Sequence, residues 1–169
     1  MHIENKQLLD FLEEIDKELD FRIELIAVGG TAMTLLNLKP STIDVDFDLS
    51  FEHKKLFQSA LKKIPHGFKL DLFSNGLIFS QQLPEDYKKK IIPIKAKFKN
   101  IELFALHPLD IVVSKIGRLN ERDEEDIRDC IKKFKITKNQ VMKRAKQVDY
   151  IGREQNYQIN LKFALKEFF

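Results

Sequence analysis

Between Asn5 and Leu19 the apolar residues Leu8, Leu9, Phe11, Leu12, Ile15 and Leu19 recur at helical spacing among Glu, Asp and Lys, which predicts an amphipathic first helix. Ile23 to Val28 is a short apolar run and predicts a strand. Gly29-Gly30 interrupts it. The segment Thr31 to Leu38 then reads as a short helix stopped by Lys39-Pro40, because the residue before proline is pushed out of the helical region. Ile43-Asp44-Val45-Asp46-Phe47-Asp48-Leu49 alternates apolar and acidic residues without a break. That is the period of a strand with one buried and one open face, and it places the three aspartates together on the open one.

Ser50 is placed to cap a helix reaching about Ile64, with Glu52 in its first turn and Leu56, Phe57, Ala60, Leu61 and Ile64 turned inward. Phe68 to Phe73 predicts a further strand. Asn75-Gly76 signals a turn, Leu77 to Phe79 a brief strand, and Pro84 the start of a polar stretch. Ile91 to Phe98 and Ile101 to Leu106 read as two strands joined at Lys99-Asn100. From His107-Pro108 onward the pattern is helical, with helices expected near Leu109 to Leu119, Asp123 to Phe134, Lys138 to Val148 and Gln155 to Phe168. The fold class is therefore α/β: a small mixed β-sheet flanked by helices over residues 1–106, and a C-terminal helical section over residues 107–169 packed on that core as one structural unit.

Composition narrows this picture. A chain of 169 residues, 43% hydrophobic and 33% charged, has material for one ordinary core. Lys and Arg exceed Asp and Glu by only three charges, too even to argue for nucleic acid from the total. The single cysteine, Cys130, has no partner for a disulfide and no Cys/His spacing for zinc. Met1 to Asp20 lacks the pattern of a signal peptide, and no apolar run approaches the ~20 residues that cross a membrane. The expected location is cytoplasmic, with no membrane partner.

The chemistry lies in the glycines and the aspartates. Two carboxylates one residue apart on a strand point the same way with Cα atoms ~6–7 Å apart, so Asp44 and Asp46 can reach a shared metal cluster. Phosphoryl transfer by two Mg²⁺ ions ~3.5–4 Å apart requires oxygen ligands of this kind. Asp71, flanked by Leu70 and Leu72, is placed to supply a third carboxylate from a neighbouring strand; a charge there would be odd without such a partner. Gly29-Gly30 allows close approach of backbone to a triphosphate, and the following helix would aim its N–H groups and the Thr31 hydroxyl at phosphate oxygens. Taken singly, each signal has an ordinary reading: Gly-Gly as a turn, acidic alternation as an exposed edge strand. Asp48 continues the alternation and leaves a metal pair shifted by two residues open, although the spacing from Gly30 favours Asp44 and Asp46.

The run Val28-Gly29-Gly30-Thr31-Ala32 followed by Asp44-Val45-Asp46-Phe47 resembles the hallmark of the nucleotidyltransferase (polymerase-beta-like) superfamily, and Asp71 matches its usual third carboxylate. Together with Ser41-Thr42-Ile43 before Asp44, Lys115, and the Arg122-Asp123 to Asp126-Ile127 helix, it is similar to the branch containing AbiEii-type toxins and DUF6036 proteins. The resemblance covers most of Leu25 to Cys130. It implies a nucleotidyltransferase fold and Mg²⁺-dependent transfer of a nucleoside monophosphate from an NTP to an acceptor, with release of pyrophosphate. The implied setting is a toxin-like component of a toxin–antitoxin or phage-defence pair, with tRNA or another RNA as acceptor and a cognate antitoxin protein as partner. Lys115 would correspond to a helical lysine facing the triphosphate, and Asp126 to a second helical functional position that helps bind the nucleotide.

Lys115 also has support from its own surroundings, since a lysine in the apolar run Ile111 to Ile116 suits a phosphate cleft. Glu121 to Asp129 is equally readable as a solvated helix start, with acids favoured at the positive end of the dipole. The lysine-rich stretches Lys88 to Lys90, Lys95 to Lys99 and Lys132 to Lys146 are ordinarily solvated faces, yet together they would suit an RNA path. Two other readings stand beside RNA transfer. One moves the nucleotide to a protein or small molecule; the other is a nucleotide-binding regulator or antitoxin without turnover, against which the three carboxylates count.

Overall fold

The computed structural model describes residues 1–169. In chain order its elements are β1 (Ile3–Glu4), α1 (Asn5–Glu18), β2 (Ile23–Ala27), α2 (Gly29–Leu35), β3 (Ser41–Thr42), β4 (Val45–Leu49), α3 (Phe51–Leu61), β5 (Leu70–Ser74), β6 (Leu77–Ile78), β7 (Gln81–Gln82), a 3₁₀ turn (Tyr87–Lys89), β8 (Ile92–Pro93), β9 (Ile101–Ala105), α4 (Pro108–Ile116), α5 (Glu121–Phe134), α6 (Lys138–Ala145), β10 (Asp149–Tyr150) and α7 (Glu154–Glu167). The fold is mixed α/β. No helix is long and apolar enough to cross a membrane. The chain divides into two compact units, Met1–Asn75 with Ile91–Ala105, and Gly76–Lys90 with Leu106–Phe169. The polar stretch after Asn75, placed by sequence with the sheet, thus belongs with the C-terminal helices.

In the first unit the strand order is β5-β4-β2-β9-β8. Strands β4 and β5 run parallel, as do β2 and β9, while β2 and β4 are antiparallel. The first helix buries Leu8, Phe11, Leu12 and Ile15, the residues that its periodicity marks as one face. Ser50 caps α3, its hydroxyl accepting from the His53 N–H at 3.1 Å. Phe57 of α3 meets Phe47 of β4 with ring centroids 6.0 Å apart, so α3 covers the Val45, Phe47 and Leu49 side of β4. The end of α1 is tied down by Asp16, whose carboxylate accepts from the N–H groups of Lys99, Asn100 and Ile101 at 2.7–2.9 Å. The turn thereby places its donors on a buried carboxylate.

Three expected boundaries move for local reasons. Helix α2 begins at Gly29, two residues before the predicted start, because Gly29 takes φ 55° and turns the strand directly into the helix. It stops at Leu35, and Asn37 at φ 59° reverses the chain. The strand expected over Ile91 to Phe98 shrinks to Ile92–Pro93. It is the edge strand, Pro93 has no N–H to donate, and Lys95 and Lys97 stay in solvent.

The second unit is built around α4, whose residues Asp110 to Ile116 are all buried. Tyr157 of α7 donates its hydroxyl to the Val113 carbonyl at 2.8 Å, and Asn160 donates to the Ile116 carbonyl at 2.9 Å. Arg144 of α6 forks onto buried Asp110 at 2.5 and 2.9 Å and reaches Asp86 at 2.6 Å. His107 caps α4: its Nδ1 accepts from the Leu109 N–H at 3.0 Å, which requires the ring to be unprotonated at that nitrogen. Burial lowers the His107 pKa, the Asp110 charge opposes this, and Lys90 and Arg144 add to the lowering. The folded state therefore binds the proton less well than the unfolded chain, so stability present above the ordinary value of about 6.5 declines as pH falls below it. The thermal midpoint of the wild type is expected to drop between about pH 6.5 and 5, with a flatter profile in His107→Ser, which keeps a capping oxygen. A slope equal in both would remove His107 from the effect.

Candidate active site

The acidic alternation sits on β4, between β2 and β5. Its predicted open face is corrected by the structure. The strand starts only at Val45, Asp44 lies exposed just before it, and Asp46 and Asp48 are 6% and 0% exposed. The reason is position. An edge strand would leave alternate residues in water, whereas β4 is a central strand with both α2 and α3 packed against it.

Asp46 and Asp71 are direct partners in the parallel register of β4 and β5. Equivalent residues on neighbouring strands point to the same face with backbones ~4.7–4.9 Å apart, so the two carboxylates stand side by side, opposite the face covered by α3. Lys69, two residues before Asp71 and on its face, places Nζ 3.3 Å from an Asp71 oxygen. Its pKa is raised, first by the hydrogen bond and charge of Asp71, then by the charges of Asp44 and Asp46. One exposed ammonium thus feels all three predicted carboxylates. Lys69 was not among the sequence candidates, although the period-two pattern that singles out Asp71 also places Lys69 beside it.

Gly29, Gly30 and Thr31 lie at the same end of β4. The Val28 N–H donates to the Asp46 carbonyl at 3.1 Å. Thr31 is fully buried; its hydroxyl accepts from the Asp46 N–H at 2.9 Å and donates to the Asp44 carbonyl at 3.3 Å. This hydroxyl, expected on phosphate oxygens, here forms a bracket that fixes the Asp44-Asp46 segment to the glycine turn. Thr42 adds a second tie, donating to the Asp44 carbonyl at 2.7 Å. Gly30 is required by space: a Cβ there would lie 2.7 Å from Thr42 Oγ1 and 3.2 Å from Lys39 Nζ.

The predicted helical residues belong to the second unit. Lys115 is 6% exposed and its Nζ lies 3.1 Å from Asp123 and 2.9 Å from Asp126. Arg118 closes a bidentate pair on Asp123 with both contacts at 2.7 Å. Burial alone would raise the Asp123 pKa; the Arg118 and Lys115 contacts outweigh it and hold the carboxyl below its ordinary range. Asp123 also caps α5 in a reciprocal pair with Asn120. The solvated helix start is thus only half right, since Asp123 and Asp126 are buried in an ion network.

No set of three or more His, Cys, Asp and Glu side chains converges tightly enough to enclose a metal ion. The oxygen donors Asp46 and Asp71 nevertheless suit Mg²⁺, which usually binds through one or two carboxylates, water and substrate phosphates instead of an all-protein cage. The Lys69 ammonium meets part of the negative charge at this edge, 3.3 Å from Asp71.

A family model described as "Nucleotidyltransferase of unknown function (DUF6036)" matches residues 6–168. Neither a curated protein nor a solved structure matches the chain.

Proposed function

We propose that this chain, which belongs to the DUF6036 family of nucleotidyltransferases, transfers a nucleoside monophosphate from an NTP to an acceptor at the edge of β4 and β5. The observation that carries this reading is the register pairing of Asp46 with Asp71, beside Lys69, whose Nζ lies 3.3 Å from Asp71. Asp46 and Asp71 would hold Mg²⁺, with Asp44 reaching the same edge from the entry of the strand. Bound Mg²⁺ would neutralise phosphate charge and make the acceptor hydroxyl more acidic.

The chain's own groups do the rest. Gly29 and Gly30 put the glycine turn, with Lys39 and Thr42 closed on Gly30, beside the phosphates. The brackets from Thr31 and Thr42 keep Asp44 and Asp46 from shifting as charge redistributes. The acceptor oxygen forms its bond to the α-phosphorus as the bond to pyrophosphate breaks, and Asp71 takes the acceptor proton and passes it to solvent. Lys115 and Asp126 enter as a buried ion pair that shapes the second unit, because the lysine's charge is already met by two carboxylates.

The proposed acceptor is tRNA, with the chain acting in the cytoplasm as the toxin-like member of a pair with a cognate antitoxin; the resemblance in Val28 to Phe47 supports this. The test is incubation with Mg²⁺, each α-labelled NTP and total tRNA, comparing the wild type with Asp44→Ala/Asp46→Ala. Label on tRNA that disappears in the double variant is expected. Label on protein or a small molecule would change the acceptor, and NTP binding with no transfer to any acceptor would replace the enzyme by a nucleotide-binding regulator.

A further inference from the structure

The site as described has an imbalance of charge. Three carboxylates and a triphosphate face one ammonium, that of Lys69 on Asp71, and phosphoryl-transfer sites commonly add a lysine or arginine on the phosphates to the metal ions. Lys115 is poorly suited to that part, buried between Asp123 and Asp126 with both oxygens within 3.1 Å. The first unit contains another candidate, which sequence reading treated only as a helix stop.

Lys39 lies beyond the C-terminal end of α2, yet its ammonium rests against the first turn of that helix. A Cβ on Gly30 would lie 3.2 Å from Lys39 Nζ and 3.4 Å from Lys39 Cε. The route is visible in the backbone. Helix α2 has seven residues and so a length of ~10 Å; Asn37 at φ 59° turns the chain back, and β3 (Ser41–Thr42) follows it toward Asp44. Lys39 is half-buried, with the end of its side chain beside Gly30. Gly30 thus does two things: it admits Thr42, which ties down Asp44, and it admits the end of the Lys39 side chain. Any larger residue at position 30 would have to displace both.

We infer that Lys39 binds the β- or γ-phosphate of the nucleoside triphosphate, its ammonium held beside Gly30 at the glycine turn. This rests on the nucleotidyltransferase reading above and adds the residue that counters the charge of the departing pyrophosphate. A lysine suits the place because a compact ammonium on a flexible stem can follow the phosphate as it leaves.

The experiment is calorimetric titration of the full chain with ATP, GTP, CTP and UTP in Mg²⁺, and with the matching monophosphates. In Lys39→Met, which keeps the aliphatic stem, the best-bound triphosphate is expected to weaken at least about tenfold, the scale of a lost charge-assisted hydrogen bond. The matching monophosphate should be unaffected, and Lys39→Arg should restore most of the loss. Lys39→Gln serves the same purpose if the Met variant does not fold. Equal triphosphate affinity in wild type and variant, or equal loss for triphosphate and monophosphate, would overturn the assignment of Lys39 and leave the nucleotidyltransferase reading standing. A wild type that binds no triphosphate would overturn both.

Discussion

Asp71→Asn is expected to reduce nucleotidyl transfer on the order of a thousandfold while the chain stays folded, because the charge stabilisation a divalent ion supplies is worth several kcal/mol. Asparagine keeps the shape and one oxygen of the side chain but loses the charge that binds a hard cation and accepts the acceptor proton. The structural cost should be small. Asp71 is 41% exposed in its side chain and pairs with exposed Lys69, a surface contact of little weight. Initial rates with labelled NTP, read beside the thermal midpoint, separate the two effects. A variant that is folded and keeps activity within about tenfold of the wild type would remove Asp71 from the metal edge. Lys69→Met is the natural companion: it takes away the ammonium nearest Asp71, and an unchanged loss in Asp71→Asn on that background would exclude the broken salt bridge as the cause.

Much of this candidate site was legible as a pattern in the chain, because the signals involved are local. Gly29-Gly30 before a short helix, the run from Asp44 to Leu49, and Asp71 between two leucines each report on residues a few positions apart. What the sequence could not report was which strands sit at the centre of the sheet. The alternation at Asp46 and Asp48 reads as an open face, yet β4 is enclosed by β2, β5, α2 and α3, and burial follows from those neighbours. Register is non-local in the same way. Asp46 and Asp71 become partners only once β4 and β5 pair in parallel. Lys39 was missed because its place depends on a chain reversal at Asn37, a residue type that tolerates positive φ without announcing it. The short strands β1, β3, β7 and β10 carry two residues each, too few to leave a period, and exist through their pairing partners.

Lys115→Met is expected to destabilise the second unit by about 3–5 kcal/mol, the cost of removing one partner from a buried ion pair. The size follows from burial: Asp123 is fully buried and Asp126 is 6% exposed, so neither carboxylate can recover in water the charge stabilisation that Lys115 supplies. Asp123 keeps the bidentate Arg118 contact; Asp126 loses the ammonium at 2.9 Å and carries most of the penalty. Adding Asp126→Asn to Lys115→Met removes a buried charge that Lys115 met while keeping its shape, so the double variant should regain part of the stability, a coupling that denaturant midpoints measure directly. If Lys115 instead served the triphosphate, the restored double variant would still be inactive at temperatures where it is folded. Recovery of both stability and transfer would make the lysine a structural ion-pair partner, in keeping with its two short carboxylate contacts.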